Sequence, residues 1–166
     1  MEYAIERKLF VPRPLDEVFE FFSQAGNLER ITPPWLQFRI RKAPGQMKEG
    51  ALIEYALRVR GLPLRWLTRI ERWNPPYEFV DVQLRGPYKL WRHTHRFRAA
   101  EGGTWIEDHV RYALPFGVLG RLVHRFQVAR DVSAIFDYRT KEVQSLFPAK
   151  KQAGEPGLFV GADERT

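Results

Sequence analysis

The segment Tyr88-Lys-Leu-Trp91-Arg-His93-Thr-His95-Arg-Phe97-Arg-Ala-Ala100-Glu-Gly-Gly103-Thr-Trp-Ile106-Glu-Asp108-His-Val110-Arg-Tyr112-Ala113 decides the fold. Two runs of apolar/polar alternation meet at Gly102-Gly103, the pattern of a β-hairpin. Side chains alternate along a strand, so Trp91, His93, His95 and Phe97 share one face of the first run. Ile106, Asp108, Val110 and Tyr112 share one face of the second. With Glu101-Gly102 as the loop, Phe97 falls opposite Ile106, His95 opposite Asp108, His93 opposite Val110 and Trp91 opposite Tyr112. A register shift of two would slide these pairs without changing the face. Two imidazoles and a carboxylate therefore sit in the middle of an aromatic surface. A plain core does not need such groups, because burying them costs free energy unless each finds a partner. A ligand pocket does need a few, to orient what it holds.

Working outward, Tyr3, Ile5, Leu9 and Val11 form a first strand that stops at Pro12. Pro14, Asp16 and Glu17 open a helix buried through Val18, Phe19 and Phe22. Gly26 breaks that helix, and Asn27 caps a second short one through Ile31, which Thr32-Pro33-Pro34 ends. Leu36, Phe38 and Ile40 predict a short second strand. Strands then follow over residues 53–59, 66–71 and 78–85, with turns at Gly61-Leu62, Asn74-Pro75-Pro76-Tyr77 and Gly86-Pro87. From Val118 to Phe147 the apolar residues recur every three or four positions, which predicts one long amphipathic helix ended by Pro148. It is about 45 Å long at ~1.5 Å per residue, enough to cross a whole sheet. Residues 1–148 read as one domain and 149–166 as a flexible tail in which only Leu158-Phe159-Val160 is apolar.

The chain has 166 residues, no cysteine and a formal charge of +7. The first suits one domain with a sizeable core; the second excludes disulfides and thiolate metal sites. The arginines alternate with glutamates along the strands rather than clustering, so a salt-bridged outer face is expected and nucleic acid is not. No apolar run is long enough to cross a bilayer and no signal-peptide pattern opens the chain, which predicts a cytoplasmic protein without a transmembrane segment. The excess of arginine over lysine fits a GC-rich or thermophilic source.

Strand, two short helices, six strands and a long final helix is the order of the helix-grip fold. The chain resembles the START/Bet v 1/polyketide-cyclase (SRPBCC) superfamily. The resemblance is carried by Val11-Pro12-Arg13-Pro14-Leu15-Asp16-Glu17-Val18-Phe19, Asn27-Leu28, Thr32-Pro33-Pro34, Trp73-Asn74-Pro75-Pro76 and Gly86-Pro87-Tyr88 through Trp91-Arg92-His93-Thr94-His95. The last of these is similar to a narrower bacterial, ligand-binding-type subgroup. The resemblance implies an α+β fold, with a curved antiparallel seven-stranded sheet wrapped around the C-terminal helix. It also implies a cavity between them for a hydrophobic or amphipathic molecule: a lipid, polyketide, isoprenoid or quinone-like compound.

Hairpin arithmetic extends the inner face. Closing Arg60 on Pro63 puts Leu57 by Trp66, Tyr55 by Thr68 and Ile53 by Ile70. Closing Asn74 on Tyr77 puts Ile70 by Asp81 and Thr68 by Gln83. A Gly86-Pro87-Tyr88 loop then puts Asp81 by His93 and Phe79 by His95. On these registers Thr68, Asp81, Gln83, His93, His95 and Asp108 form a polar belt. Around it stand Tyr55, Trp66, Phe79, Trp91, Phe97 and Tyr112 as an aromatic cup. A competing register closes Arg85 on Tyr88 and turns Val80, Val82 and Leu84 inward. The first is preferred, because register propagates from strand to strand. It leaves Val80, Val82, Leu84, Leu67 and Leu90 facing outward, a patch expected to be covered by a second copy of the chain or by the tail.

His93 and His95 with Asp81 or Asp108 could ligate a metal, since imidazoles two apart face one way. The preferred reading is a hydrogen-bonded imidazole pair whose tautomers the carboxylates set, with no metal and no cofactor. A non-catalytic binder is preferred over a cyclase or dehydratase using His95 and Asp108 as its acid/base couple, because no nucleophile motif accompanies them. Trp35 reads equally as part of a lid or as a loop anchor. His109 and His124 stand outside any constellation.

Overall fold

The computed structural model describes residues 1–115 and 127–149. Strand β1 (Tyr3–Val11) leads through α1 (Leu15–Ser23), α2 (Asn27–Arg30) and a 3-10 turn at Pro34–Leu36 into β2 (Arg39–Lys42). Strands β3 (Leu52–Val59), β4 (Leu62–Asn74), β5 (Glu78–Arg85), β6 (Leu90–Ala100) and β7 (Gly103–Ala113) follow, and α3 (Ala129–Leu146) comes last. The strands form one curved antiparallel sheet in the order β1-β7-β6-β5-β4-β3-β2. This is the α+β helix-grip fold. The part of the expected long helix before residue 127, with His124, and the tail with Leu158-Phe159-Val160 lie outside the described residues.

The central hairpin pairs as its alternation requires: His95 opposite Asp108, His93 opposite Val110 and Trp91 opposite Tyr112. Three local readings need correction. The second strand begins at Arg39, because Leu36 ends the 3-10 turn and Gln37 takes a left-handed φ of 45° while donating its N–H to the Pro34 carbonyl. Leu36 and Phe38 are buried all the same. The β3–β4 turn is Arg60-Gly61, with φ of 51° and 82°, so Val59 rather than Arg60 closes the hairpin, on Leu62. Two positive φ values match the twist of a two-residue hairpin. Tyr55 accordingly faces Trp66, and Ile53 faces Thr68, on an unchanged face. The β4–β5 turn closes Asn74 on Glu78 instead of Tyr77. An irregularity at Glu71 absorbs the extra residue, and Ile70 still meets Asp81 and Thr68 still meets Gln83. Beyond it Asp81 pairs with His93 and Phe79 with His95.

Val80, Val82 and Leu84 therefore face outward. The chain itself covers part of the expected patch: Val80 is 1% exposed, whereas Leu84 is 48% exposed. Arg72 and Thr94 flank Val80 across the sheet. Long arginine stems can shield an apolar side chain while their heads stay in water. Those heads are paired, Arg72 and Arg96 with Glu78 and Arg92 with Glu71.

On the inner face, apolar side chains gather in clusters. One joins α1 to the far end of the hairpin through Val18, Phe19, Phe79, Phe97 and Val143. Another joins Val110 and Tyr112 to Val132 and Phe136 of α3. A third holds Ala51, Ile53 and Ile70. Arg7 bonds Ser133 and Asp137, and Arg60 bonds Asp131, fastening α3 to both sides of the sheet. Among the described residues no helix is long and apolar enough to cross a membrane.

Candidate functional site

Between the apolar clusters β5 contributes Asp81, β6 contributes His93 and His95, and β7 contributes Asp108, all pointing inward by strand parity. Their rings and carboxylates interlock. His95 stacks on Phe79 at 4.1 Å and on His93 at 3.7 Å. The other side of His93 meets the edge of Phe136 from α3 at 5.4 Å. The hydrogen bonds run diagonally to the backbone pairing. His93 Nε2 lies 2.9 Å from Asp108 Oδ1, and His95 Nε2 lies 3.0 Å from Asp81 Oδ2. The remaining nitrogens also face carboxylates. His93 Nδ1 is 3.7 Å from Asp81 Oδ2, and His95 Nδ1 is 2.9 Å from Asp108 Oδ1. That last contact lies off the direction of a hydrogen bond, which leaves His95 Nδ1 without one.

Burial and neighbouring charge split the two histidines. Burial and the adjacent His95 push the His93 pKa down to about 4, against the pull of Asp108 and Asp81. Burial acts the same way on His95, but the two carboxylates beside it outweigh burial and raise its pKa. Burial would raise both carboxyls. The hydrogen bond from His95 and the nearby cations bring Asp81 below its usual value, and Arg139 with the two histidines brings Asp108 well below. Both carboxyls are thus held ionised, His93 is neutral with its proton on the Nε2 that faces Asp108, and His95 holds its proton more tightly than an ordinary histidine.

Asp81, His93 and His95 each offer one ligand atom, all within 4.8 Å of one another, a donor set of the kind zinc accepts. In the structure these atoms are engaged with one another, His95 Nε2 lying 3.0 Å from Asp81 Oδ2, so a metal would have to replace that hydrogen bond.

The cluster forms one wall of a cavity of about 310 Å³ between sheet and α3, at the lower end of the ~300–1,000 Å³ usual for small-molecule sites. Of the residues expected from sequence, Tyr55, Trp66, Thr68, Phe79, Asp81, Trp91, His93 and His95 line it. Asp108 stands behind the two imidazoles as their hydrogen-bond and charge partner. Phe97 packs in the cluster under α1, and Tyr112 packs against Val132 and Phe136. Gln83 spends its amide on the backbone of Tyr88, with its Nε2 2.6 Å from the carbonyl, and so holds the β5–β6 loop. Trp35, 55% exposed, packs edge-on against Tyr138 of α3.

The cavity also includes residues the strand reading did not reach, among them Leu28, Phe38, Tyr88, Phe136 and Arg139. Arg139 carried a signal. It lies three residues after Phe136 and four before Val143, on the buried stripe of its helix.

Comparison with known proteins follows from this geometry. A family model described as polyketide cyclase / dehydrase and lipid transport matches residues 11–135. Protein CV1439 from Chromobacterium violaceum superposes with a TM-score of 0.69 at 11% identity, covering 87% of this chain and 97% of that one. The di-domain ARO/CYC StfQ from the steffimycin biosynthetic pathway gives 0.69 at 13% identity, over 89% of this chain and 51% of that one. Ara h 8.0201 gives 0.61 at 19% identity, over 87% and 99%. No curated protein matches the chain by sequence. With its helix-grip sheet, the cavity between sheet and α3 and a family match spanning well over half its length, the chain belongs to the polyketide cyclase / dehydrase and lipid transport family, within the SRPBCC superfamily.

Proposed function

We propose that the protein binds or carries a hydrophobic or amphipathic ring-containing molecule in the cavity between sheet and α3. The observation that carries this reading is a cavity walled by Tyr55, Trp66, Phe79, Trp91 and Phe136, with a single charged cluster on one side. Apolar burial supplies affinity at roughly 25 cal/mol per Å², and the polar wall fixes orientation. Each ring nitrogen of His93 and His95 faces a carboxylate oxygen. That arrangement supports a binding wall over a working acid/base pair, which needs a nitrogen within reach of substrate.

A cyclase or dehydratase is the second reading, favoured by one observation: the raised pKa of His95 keeps a proton beside the cavity. Asp81 is its hydrogen-bonded partner and Asp108 its second charge partner.

Native mass spectrometry after mild purification tests the binding reading. A retained apolar small molecule, released on denaturation, is expected. A protein that carries nothing and takes up no aromatic probe contradicts it. His95→Ala separates the two readings. In a binder it weakens ligand binding by about 1–3 kcal/mol with folding retained. In an enzyme it abolishes turnover of a carbonyl substrate and leaves binding nearly intact.

A further inference from the structure

Each carboxylate of the cluster faces one nitrogen of each imidazole. Asp81 Oδ2 lies 3.0 Å from His95 Nε2 and 3.7 Å from His93 Nδ1. Asp108 Oδ1 lies 2.9 Å from the other nitrogen of each ring, His93 Nε2 and His95 Nδ1. Asp81, His93 and His95 line the cavity, and Asp108 stands behind them. Donors on a tetrahedral ion with bonds of about 2.0–2.1 Å stand roughly 3.3 Å apart. The two Asp81 distances bracket that separation, so each imidazole is spaced from Asp81 as a fellow ligand of one ion would be.

The protons are placed to suit. His93 shares the proton of its Nε2 with Asp108, so the neutral ring offers a lone pair at Nδ1. Asp81 turns an oxygen toward that lone pair at 3.7 Å, beyond hydrogen-bond range. Two acceptors that face each other are matched by a cation. His95 Nδ1 is buried and makes no hydrogen bond among the described residues. An ion on His95 Nε2 displaces the proton held between that nitrogen and Asp81. The ring then keeps its proton on Nδ1, where Asp108 is the acceptor at hand. Asp108 thus receives an N–H from both imidazoles, the outer arrangement that fixes tautomer and ring orientation in metal sites. Two imidazoles and a carboxylate, in a chain with no cysteine, suit a divalent ion of the first transition series, whereas magnesium and calcium prefer oxygen alone.

We propose that Asp81, His93 and His95 bind a divalent transition-metal ion of the zinc type, with Asp108 as the positioning residue for both imidazoles. This departs from the metal-free expectation of the sequence, because strand parity shows the shared face but not that each ring aims one nitrogen at each carboxylate. It goes beyond the binding reading and needs no organic ligand. The test titrates zinc, cobalt(II) and magnesium into the tag-free, chelator-treated full chain by calorimetry, with the cobalt absorption spectrum as a second readout. A single zinc or cobalt ion is expected at micromolar Kd or tighter, with magnesium far weaker. Asp81→Asn and His95→Gln should remove that binding. Asp108→Asn should weaken zinc about 10–100-fold while the cobalt spectrum keeps its shape, since the ligands are unchanged. His109→Gln, beside Glu6 on the outer face, should change nothing. Absent zinc binding, equal affinity for magnesium, or zinc binding that survives Asp81→Asn and His95→Gln overturns the site and leaves the binding reading standing. Unchanged affinity in Asp108→Asn overturns the role of Asp108. Should the variants not fold, nitrogen NMR of the unmodified protein decides: zinc should move His93 Nδ1 and His95 Nε2 and leave His109 in place, and the opposite pattern overturns the site.

Discussion

His93 and His95 have the same side chain on the same strand face, yet their surroundings drive their protonation apart. The consequence for stability has a definite sign. Between the ordinary histidine pKa of about 6.5 and the His93 value of about 4, the unfolded chain takes up a proton that folded His93 refuses. Stability therefore falls as pH drops through that window. His95 acts the other way. Its raised pKa adds stability that is complete below about 6.5 and is lost as pH rises through the folded value. Below about 4 the depressed Asp81 and Asp108 add a further acid loss, since their contribution disappears as they protonate. Histidine-selective NMR checks this. Its expected outcome is a His93 ring that stays neutral down to about pH 4 and a His95 ring that loses its proton at a higher pH than an ordinary histidine. Chemical denaturation of His93→Gln should show the loss between pH 6.5 and 4 flattened relative to the unmodified protein. Parity placed both imidazoles and Asp108 on one face, and the chain of hairpin registers added Asp81. Neither could reveal that His95 bonds Asp81 while His93 bonds Asp108, because side chains lean along the strands and the backbone register does not record that tilt.

At the scale of elements, the hairpins show which parts of the sheet were legible. The β6–β7 register follows from two runs of alternation and a glycine turn, and the alternative shifted by two would have kept the same face. The β3–β4 turn sits one residue earlier than expected, which moves the register by two, because Arg60, not an evident candidate for φ of 51°, accepts the left-handed conformation beside Gly61. The β4–β5 pairing came out as expected only because a longer turn and an irregularity at Glu71 offset each other. An irregularity has no reliable residue signature, so that agreement was not fully earned. Gly103 gives an element-scale prediction. A Cβ there would collide with the Val11 carbonyl and meet the Phe10 ring at 2.8 Å and Pro12 Cα at 2.9 Å, whereas Gly45 has nothing within 4 Å. Gly103→Ala should destabilise by about 1–3 kcal/mol, as overpacking does. Gly45→Ala should stay within about 0.5 kcal/mol of neutral. Urea denaturation of the two variants reads the difference directly.

Across the whole molecule, the chain fills the ends of the space between sheet and helix with packed apolar clusters and leaves the middle open beside a charged wall. Packing that middle with side chains would have been the simpler route to stability, since interiors are normally close-packed. A ligand that fills it should stabilise the fold by mass action, by about 2.7 kcal/mol at a hundred times its Kd. Acetylnaphthalene should raise the melting temperature in a concentration-dependent way, and Phe136→Ala, which cuts the α3 side of the wall, should reduce that rise. The overall order of elements was readable because periodicity changes cleanly from two to between three and four. The cavity's α3 side was not, because a helical stripe looks the same whether it packs a core or lines a void. Indole NMR addresses the central claim most directly. Trp66 and Trp91 line the cavity, while Trp105 pairs with Lys8 and Phe10 on the outer face. In a titration with acetylnaphthalene, the account predicts saturable shifts of the Trp66 and Trp91 N–H resonances with Trp105 unmoved. Shifts confined to Trp105, or no saturable shift at any tryptophan, would contradict it.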